Sequence, residues 1–357
     1  MAIKNISIIG LGLIGGSIAK ALRASGNQFN LYAIDKDEIL SEAIGNNIID
    51  AKLNETNEVL ESDLIFLCTP VDTAINIFKQ IAPRLKPNSI LTDVCSVKSP
   101  FEKIWNEIKK DGIYIGGHPM TGKESGGYSN SDKLLFENTI YILTQKIDRQ
   151  LKDFRNIIEL LGANILYIPA KQHDVIAASV SHLPQLVSVA LVNTASLKTD
   201  EYNFLDLAAG GFRDMTRIAE SDFKVWEPII KENKNEIITA IDKFALELES
   251  LKKILKKNEF EKIAGKFEQA RISRYEIPLN SKGFLTPLHD IFVYVKDEPG
   301  ILSKISTLLY ENGINIKDIE LLKIRDGKGG TFRLSFSTPE EALKSKELLS
   351  KNNIETD

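Results

Sequence analysis

The first half of the chain alternates short apolar runs with amphipathic stretches. The apolar runs predict strands, and helical patterns such as Ile14–Ser25 and Lys98–Lys109 lie between them. Several runs are apolar without a polar alternate position, which is typical of a parallel sheet covered on both faces. The predicted strands are Ile6–Gly10, Leu31–Asp35, Leu64–Cys68, Ser89–Thr92, Tyr114–Gly117 and Thr139–Leu143. We therefore expect residues 1–170 to form a doubly wound α/β domain of the Rossmann type.

The strand pattern stops after this domain, and residues 171–282 are predicted to be helical, with a kink at Pro184. One stretch repeats apolar residues at alternating steps of four and three: Ile237, Ile241, Phe244, Leu248, Leu251 and Leu255. Such a seam requires a partner helix. The partner is either a helix of the same subunit or a second copy of the chain, and we expect the second, a homodimer.

The C-terminal residues 288–357 form a small α+β pattern behind a linker at Tyr275–Pro287, which is rich in proline and polar residues. The elements are predicted at Asp290–Val295 (strand), Gly300–Asn312 (helix), Asn315–Lys323 (strand), Gly330–Phe336 (strand) and Pro339–Asn352 (helix). This order is one strand short of a ferredoxin-like fold, because Ile354–Asp357 looks too short for a last strand.

Composition narrows the class of protein. Hydrophobic residues make up 43% and charged residues 26% of the 357 residues, which is typical of a soluble globular chain. The net charge of -4 and the lack of a long basic run argue against nucleic-acid binding. No signal peptide or membrane span is expected. The two cysteines, Cys68 and Cys95, form no metal-ligand pattern, so we expect a cytoplasmic protein without a metal.

A glycine-rich turn follows the first predicted strand. Gly10, Gly12 and Gly15 have the spacing of a dinucleotide-binding loop, with Leu13 and Ile14 opening the next helix. The helix N-terminus offers unpaired N–H groups to a pyrophosphate. Asp35 ends the second strand, 20 residues after Gly15, where a carboxylate accepts hydrogen bonds from ribose hydroxyls and repels a 2′-phosphate. We expect NAD, although the neighbouring Lys36 leaves NADP open.

Three polar side chains follow consecutive strands of the predicted sheet. Thr69, Ser96 and His118 come after the predicted strands Leu64–Cys68, Ser89–Thr92 and Tyr114–Gly117. Ligands bind at the carboxyl ends of the strands in such sheets, so these side chains are expected at one rim. Because glycines surround His118, we expect it on a loop, where it either fixes the loop or takes part in proton transfer.

The helical half contributes two arginines four residues apart, Arg213 and Arg217, behind Gly210 and Gly211. Two guanidinium groups at this spacing can bind one anion, and their planar shape suits carboxylates. Alternatively, each forms a solvated ion pair with a neighbouring acid. The double glycine, which allows a close backbone approach, favours the anion site.

These motifs, in this order, resemble those of the prephenate dehydrogenases. The resemblance covers residues 1 to about 275 and rests on Gly10–Gly15, Asp93–Lys98, Gly117–Gly126, Ser181–Pro184 and Phe212–Arg217. It implies oxidative decarboxylation, in which prephenate and NAD⁺ give 4-hydroxyphenylpyruvate, CO₂ and NADH.

The resemblance also implies roles for single residues. His118 would accept the proton of the C4 hydroxyl, and Ser96 would hydrogen-bond both His118 and that hydroxyl. Thr69 would contact the cofactor. The implied substrate-binding residues are Arg217 for the ring carboxylate, Arg213 and His182 for the side chain, Thr121, Glu124 at the site entrance, and Trp226. From its position alone, Trp226 fits a pocket wall and a core equally well.

The C-terminal segment resembles an ACT domain, a module that binds small regulatory ligands. The resemblance rests on Asp297–Leu302 and Asn312–Ile316. Gly300 would let a carboxylate approach a helix N-terminus, and Asp297 and Asn315 would bind an ammonium group. In a tyrosine-pathway enzyme, the expected effector is L-tyrosine.

Three other interpretations remain. Arogenate could be the substrate, although Arg213, Arg217 and a charged His182 would repel its ammonium group. β-Hydroxyacid dehydrogenases share the first domain, but they use a lysine base that the His118 motif does not supply. A dinucleotide sensor without catalysis would not need Ser96, His118 and Arg217 together.

Overall fold

A computed structural model describes residues 3–108, 111–123, 125–146, 151–197, 202–276, 288–296, 298–325 and 329–356. Within these residues the chain divides into two compact units, Met1–Glu259 and Phe260–Asp357. The first unit contains the predicted α/β domain and most of the predicted helical domain. The second contains one long helix and the C-terminal α+β domain.

The α/β domain is built on an eight-stranded sheet in the order β3-β2-β1-β4-β5-β6-β7-β8. All neighbouring strands are parallel except β6 and β7. The strands are β1 Asn5–Ile9, β2 Asn30–Ile34, β3 Ala51–Lys52, β4 Leu64–Leu67, β5 Ile90–Asp93, β6 Ile113–Pro119, β7 Ile140–Leu143 and β8 Asn164–Tyr167. The helices are α1 Leu13–Ala24, α2 Asp37–Gly45, α3 Val71–Ile81, α4 Ser99–Glu107 and α5 Lys152–Leu160. This confirms the Rossmann-type fold.

Strand β4 shows why the sheet strands lack polar positions. Leu64 and Phe66 pack into the core on the α1 face, whereas Ile65 and Leu67 pack into a second core with α3. Successive side chains of a strand point to opposite faces, so a sheet covered on both faces needs apolar residues at every position.

The helical part of the first unit begins with a nearly continuous segment. It contains α6 Ala170–Ala177, a π-helical turn Ala178–His182 and α7 Leu183–Ala195, followed by α8 Gly210–Thr216, α9 Phe223–Glu232 and α10 Lys234–Lys256. The predicted irregularity at Pro184 takes the form of the π turn just before it. Proline has no N–H to donate back along the helix, and a π turn is one way to accommodate that loss.

The segment Ala170–Ala195 is also long and apolar enough to cross a membrane, judged by length and composition only. That finding qualifies the expectation that the chain has no such stretch. The same segment carries His173, Asp174 and His182, each about 1% exposed, on its packed face. Length and composition do not separate a membrane span from a helix that packs within a protein.

The second unit begins with α11 Phe260–Glu276, and its sheet has the order β10-β11-β9-β12. The elements are β9 His289–Val295, α12 Ile301–Glu311, β10 Asp318–Arg325, β11 Gly329–Phe336, α13 Pro339–Lys351 and β12 Glu355–Thr356. The expectation of a missing last strand was wrong. Glu355 and Thr356 pair antiparallel with Tyr294 and Val293 and complete a βαββαβ domain. Most of the predicted linker, 277–287, lies outside the described residues.

Candidate active site

The glycine loop between β1 and α1 is shaped for a close backbone approach. Gly10 has φ of +96°, and a Cβ there would lie 2.8 Å from the Cys68 carbonyl oxygen. A Cβ on Gly15 would lie 1.9 Å from the carbonyl oxygen of Gly10, so this glycine is needed for packing. A Cβ on Gly12 would meet nothing within 4 Å. Two glycines thus close the turn, and the third leaves open space above the helix.

Features around this space fit a dinucleotide. Helix α1 begins at Leu13 and Ile14 without a side-chain cap and without an acid in its first turn, so its N–H groups can receive a phosphate. The Asp35 carboxylate accepts hydrogen bonds from the backbone N–H groups of Leu11, at 2.6 Å, and Lys36, at 2.7 Å. Its oxygens keep further acceptor capacity. Thr69 Oγ1 is buried and has no hydrogen-bond partner among the described residues.

His118 lies near the end of strand β6, where it pairs with Ile142 of β7. The expectation of a loop position was wrong, since the glycines before His118 are themselves strand residues. A Cβ on Gly117 would lie 2.7 Å from the Asp93 carbonyl oxygen, so this glycine allows β5 and β6 to approach closely. The imidazole is consequently attached to the sheet rather than to a mobile segment.

The hydrogen-bond partner of His118 is another histidine. His118 Nδ1 lies 2.7 Å from His173 Nε2, and His173 Nδ1 lies 2.8 Å from Asp174 Oδ1. Burial, followed by the proximity of His173, Lys98 and His182, holds the pKa of His118 well below its usual 6.5. His118 is therefore neutral at pH 7 and can accept a proton.

Ser96 lies half-buried on the segment between β5 and α4. Within the described chain no hydrogen bond joins Ser96 to His118, in contrast to the arrangement that the resemblance implied. The hydrogen-bond partner on the Nδ1 side of the His118 ring is His173 instead. The role of Ser96 toward the substrate hydroxyl stays a prediction.

A buried ion pair lies next to His118 in the sheet. Lys98 is fully buried, and its ammonium group contacts the Asp93 carboxylate and lies 2.5 Å from the Gly117 carbonyl oxygen. Asp93 also accepts the Tyr114 hydroxyl at 2.8 Å. These bonds join the ends of β5 and β6 at Gly117, the residue before His118.

His182 lies in the π turn and is about 1% exposed. Its Nδ1 is 3.2 Å from Asn233 Nδ2, and its Nε2 is buried without a partner among the described residues. Burial lowers the pKa of His182 to about 4. A charged His182 was therefore the wrong expectation, and a neutral ring cannot repel an ammonium group. The unpaired Nε2 is a polar group that a ligand would satisfy.

The remaining predicted residues differ in how the structure places them. Trp226 is half-buried, packs against the core beside α3 and meets the His182 ring edge-on at 6.0 Å, so the wall and core interpretations both hold. Arg213 on α8 and Arg217 after it are exposed. Thr121 Oγ1 donates to the Leu135 carbonyl oxygen at 3.2 Å. Glu124 lies outside the described residues.

The predicted regulatory residues are only partly brought together. Gly300, with φ of +88°, forms the N-cap of α12. A pocket of about 720 Å³ adjoins it, with Lys296, Glu298, Ile301 and Lys304 among its lining residues. Asn315 is exposed and is not one of the described residues that line this pocket, and Asp297 lies outside the described residues.

Comparison with known proteins identifies the parts of the chain. Residues 18–167 match the nucleotide-binding domain of prephenate dehydrogenase, residues 169–269 match its dimerization domain, and residues 289–345 match the ACT domain. The chain is 33% identical to a prephenate dehydrogenase of Lactococcus lactis subsp. cremoris over 353 residues, covering 98% of each chain.

The chain belongs to the prephenate dehydrogenase family.

Solved structures of prephenate dehydrogenase relatives agree with this membership. The Aquifex aeolicus prephenate dehydrogenase, in complex with hydroxyphenyl propionate and NAD⁺, has a TM-score of 0.70 and 33% identity, covering 78% of this chain and 99% of that one. The Synechocystis arogenate dehydrogenase has a TM-score of 0.67 and 28% identity, covering 76% and 99%. The chain is thus a member of an enzyme family whose solved relatives include proteins named for either substrate.

Sequence reasoning about this prephenate dehydrogenase relative missed His173, Asp174 and Asn233. His173 is one of only four histidines in the chain and stands next to an acid. That scarcity was the available signal. Its partner His118 is 55 residues away, so no local pattern could have paired them.

Proposed function

We propose that the chain is an NAD-dependent prephenate dehydrogenase that converts prephenate to 4-hydroxyphenylpyruvate and CO₂. One observation supports this proposal above the others. A neutral, half-buried His118 lies at the end of strand β6, in the same sheet whose first strand leads into the dinucleotide-binding loop. When bound at that loop, NAD⁺ supplies the hydride acceptor. The Asp35 carboxylate supports NAD over NADP, because it would repel a 2′-phosphate.

His118 acts as the general base. Its free nitrogen accepts the proton of the C4 hydroxyl as the C4–H bond breaks and the carbonyl forms. Loss of CO₂ from C1 then sends the bonding electrons into the ring, and the resulting phenolate oxygen takes the proton back from His118. Overall, the substrate loses one hydride to NAD⁺ and one molecule of CO₂, and the hydroxyl proton returns to the same oxygen. Ser96 is proposed to hold the C4 hydroxyl toward His118.

The helical part is proposed to hold the two carboxylates of the substrate. Arg217 would pair with the ring carboxylate, and Arg213 would pair with the pyruvyl carboxylate, since a guanidinium binds a carboxylate through two N–H groups. The unpaired Nε2 of His182 suits a hydrogen bond to the substrate side chain, beside the ring of Trp226. Gln185 supports this arrangement because its Nε2 donates to the Ile218 carbonyl oxygen at 2.8 Å and ties α7 to the turn that carries Arg217.

Arogenate is the second candidate substrate, because His182 is neutral and does not oppose an ammonium group. The preference for prephenate then rests on the two arginines. NADH formation by the purified chain, measured with prephenate and with arogenate, tests the proposal. A kcat/KM at least about tenfold higher for prephenate is expected, and His118→Asn should abolish turnover. Absence of NADH formation with either substrate would indicate a dinucleotide-binding sensor.

We further propose that the enzyme is a cytoplasmic homodimer inhibited by L-tyrosine. The seam on α10 supports the dimer, since Ile241, Leu248 and Leu255 are exposed in the single chain at 39%, 50% and 55%. The pocket beside Gly300 supports an effector site, because Lys296 and Lys304 can attract a carboxylate. Both cysteines are free, which suits a reducing compartment.

A further inference from the structure

Three side chains form a continuous hydrogen-bonded series that ends at the proposed base. Asp174 bonds to His173, and His173 bonds to His118, at 2.8 Å and 2.7 Å. Asp174 and His173 are each about 1% exposed. The Asp174 carboxylate also accepts the backbone N–H groups of Lys98, at 2.8 Å, and Ser99, at 2.7 Å. The series therefore joins the start of α4, helix α6 and strand β6 within the first unit.

An ionised Asp174 fixes the direction of its hydrogen bond with His173, and that bond determines which His173 nitrogen faces His118 as an acceptor. Burial opposes ionisation of Asp174, but the hydrogen bonds from His173, Ser99 and Lys98 outweigh it and hold the pKa of this carboxyl below its usual value. An ionised carboxylate only accepts, so His173 Nδ1 must carry a proton. If the His173 ring carries only this one proton, Nε2 is the acceptor and the proton of the short contact sits on His118 Nδ1. This leaves the lone pair of His118 on Nε2.

We propose that His173 and Asp174 are positioning residues that hold His118 as its Nδ1-protonated tautomer and so direct Nε2 toward the substrate hydroxyl. The proposal rests on the proposed function of His118 as the base. It assigns to a buried histidine and a buried acid the orienting task that the resemblance gave to Ser96. In water, neutral histidine prefers to carry its proton on Nε2. An environment that keeps the proton of His118 on Nδ1 therefore leaves Nε2 able to accept the proton of the substrate hydroxyl.

The charges around His118 explain the role of the Asp174 carboxylate, which is held by the backbone N–H groups of Lys98 and Ser99. The groups that face it are the Lys98 ammonium, which is paired with Asp93, together with His173 and His182. When Nε2 takes the hydroxyl proton, His118 becomes an imidazolium beside Lys98. The Asp174 carboxylate, one ring away, is the acid that compensates this charge through His173.

Nitrogen-15 NMR of the histidine side chains in the full-length chain tests the tautomer without any substrate. Wild-type His118 is expected to show a protonated Nδ1 and a bare Nε2 at pH 7, and in His173→Phe the balance should shift toward protonated Nε2. His173→Gln keeps a carbonyl oxygen that can accept from His118 Nδ1, so the wild-type tautomer should return. A protonated Nε2 on His118 in the wild type would overturn the proposal, whether or not the chain oxidises prephenate.

Kinetics supply the second readout. His173→Phe should lower kcat by roughly 10²–10⁴-fold, by analogy with triads that lose the residue orienting their histidine, and should leave NAD⁺ affinity within about twofold. His173→Gln should recover part of the loss, and His289→Gln, in the second unit, should behave as wild type. If His118→Asn abolishes activity while His173→Phe keeps the wild-type kcat and pH profile, His173 does not position the base. If the wild type turns over neither substrate, the proposed function fails, and the NMR result still decides the tautomer.

Discussion

At the scale of single residues, the protonation state of each side chain in the candidate site depends on the partners that folding brings to it. His118 was recognised by its strand-end position, whereas its contact with His173 depends on folding two separate domains against each other. The charge of His182 was also beyond reach from the sequence, because a pKa depends on burial and burial is a tertiary property. Residue type and spacing indicate which side chains can take part in the chemistry, and packing determines the protonation state of each one.

Arg217 tests the proposed substrate contact. Arg217→Ala should raise KM for prephenate and lower kcat/KM by about 30-fold or more, because removing one partner of a desolvated charge pair costs roughly 2–5 kcal/mol. Arg213→Ala is the matched variant on the preceding helical turn and should act mainly on KM. Steady-state kinetics at saturating NAD⁺ measure both effects. Unchanged kinetics in Arg217→Ala would assign this arginine to a structural ion pair.

The buried His182 predicts a pH-dependent stability. Its pKa is about 4 in the folded chain against the ordinary histidine value of 6.5, so the unfolded chain binds more protons between these values. Stability from this group is complete above pH 6.5 and is lost as the pH falls toward 4. Urea unfolding at pH 7 and pH 4.5 should show a loss about 2 kcal/mol smaller in His182→Asn than in the wild type. Equal losses would mean that His182 is hydrated in the folded chain.

At the scale of elements, strands with a continuous apolar run were predicted well, whereas β3, β8 and β12 were not predicted. Strands β1, β2, β4 and β5 appear within one residue of expectation because their burial forces a continuous apolar run. The two-residue strands β3 and β12 carry too few residues for any pattern. Strand β12 exists because it pairs with β9, which is a long-range contact that no local sequence signal records.

Two glycines of the turn between β1 and α1 are expected to have different roles, one in stability and the other in cofactor binding. Gly15→Ala should lower stability by about 1–3 kcal/mol, because its Cβ would press on the Gly10 carbonyl oxygen. Gly12→Ala should keep wild-type stability, since φ is -72° and the added methyl group meets nothing. It should weaken NAD⁺ binding roughly tenfold, equivalent to about 1.4 kcal/mol. Calorimetry and fluorescence titration measure the two properties, and full NAD⁺ affinity in Gly12→Ala would place the dinucleotide elsewhere.

At the scale of the whole molecule, the family resemblance predicted the domain order, and the separate domain matches agree with it. The exposed α10 seam is the surface that the proposed second copy would cover. Leu248→Glu, on the α10 seam, should convert the proposed dimer to a monomer at micromolar concentration. Leu246→Glu is the control, since a displacement of two residues along a helix places its side chain about 160° around the helix from Leu248. Sedimentation measures both variants, and a dimer that survives Leu248→Glu would move the interface to another face.

Feedback by L-tyrosine is the prediction that involves the whole chain. It requires two distinct sites and a ligand that discriminates between two states, with a coupling of about 1–3 kcal/mol. L-Tyrosine also resembles the product, so binding at Arg217 must be distinguished from binding beside Gly300. Gly300→Asp places a carboxylate next to the pocket that Lys296 and Lys304 line. This variant should abolish inhibition while kcat and KM stay as in the wild type, although the φ of +88° adds backbone strain at this position.

Truncation separates the two sites further. A chain ending near residue 285 should keep prephenate oxidation and lose sensitivity to L-tyrosine. Inhibition curves for the full and the shortened chain, measured at several prephenate concentrations, make the comparison. Inhibition that persists in the shortened chain and is relieved by prephenate would place L-tyrosine in the active site. The ACT domain would then serve another ligand, whose carboxylate would still be expected at the lysines beside Gly300.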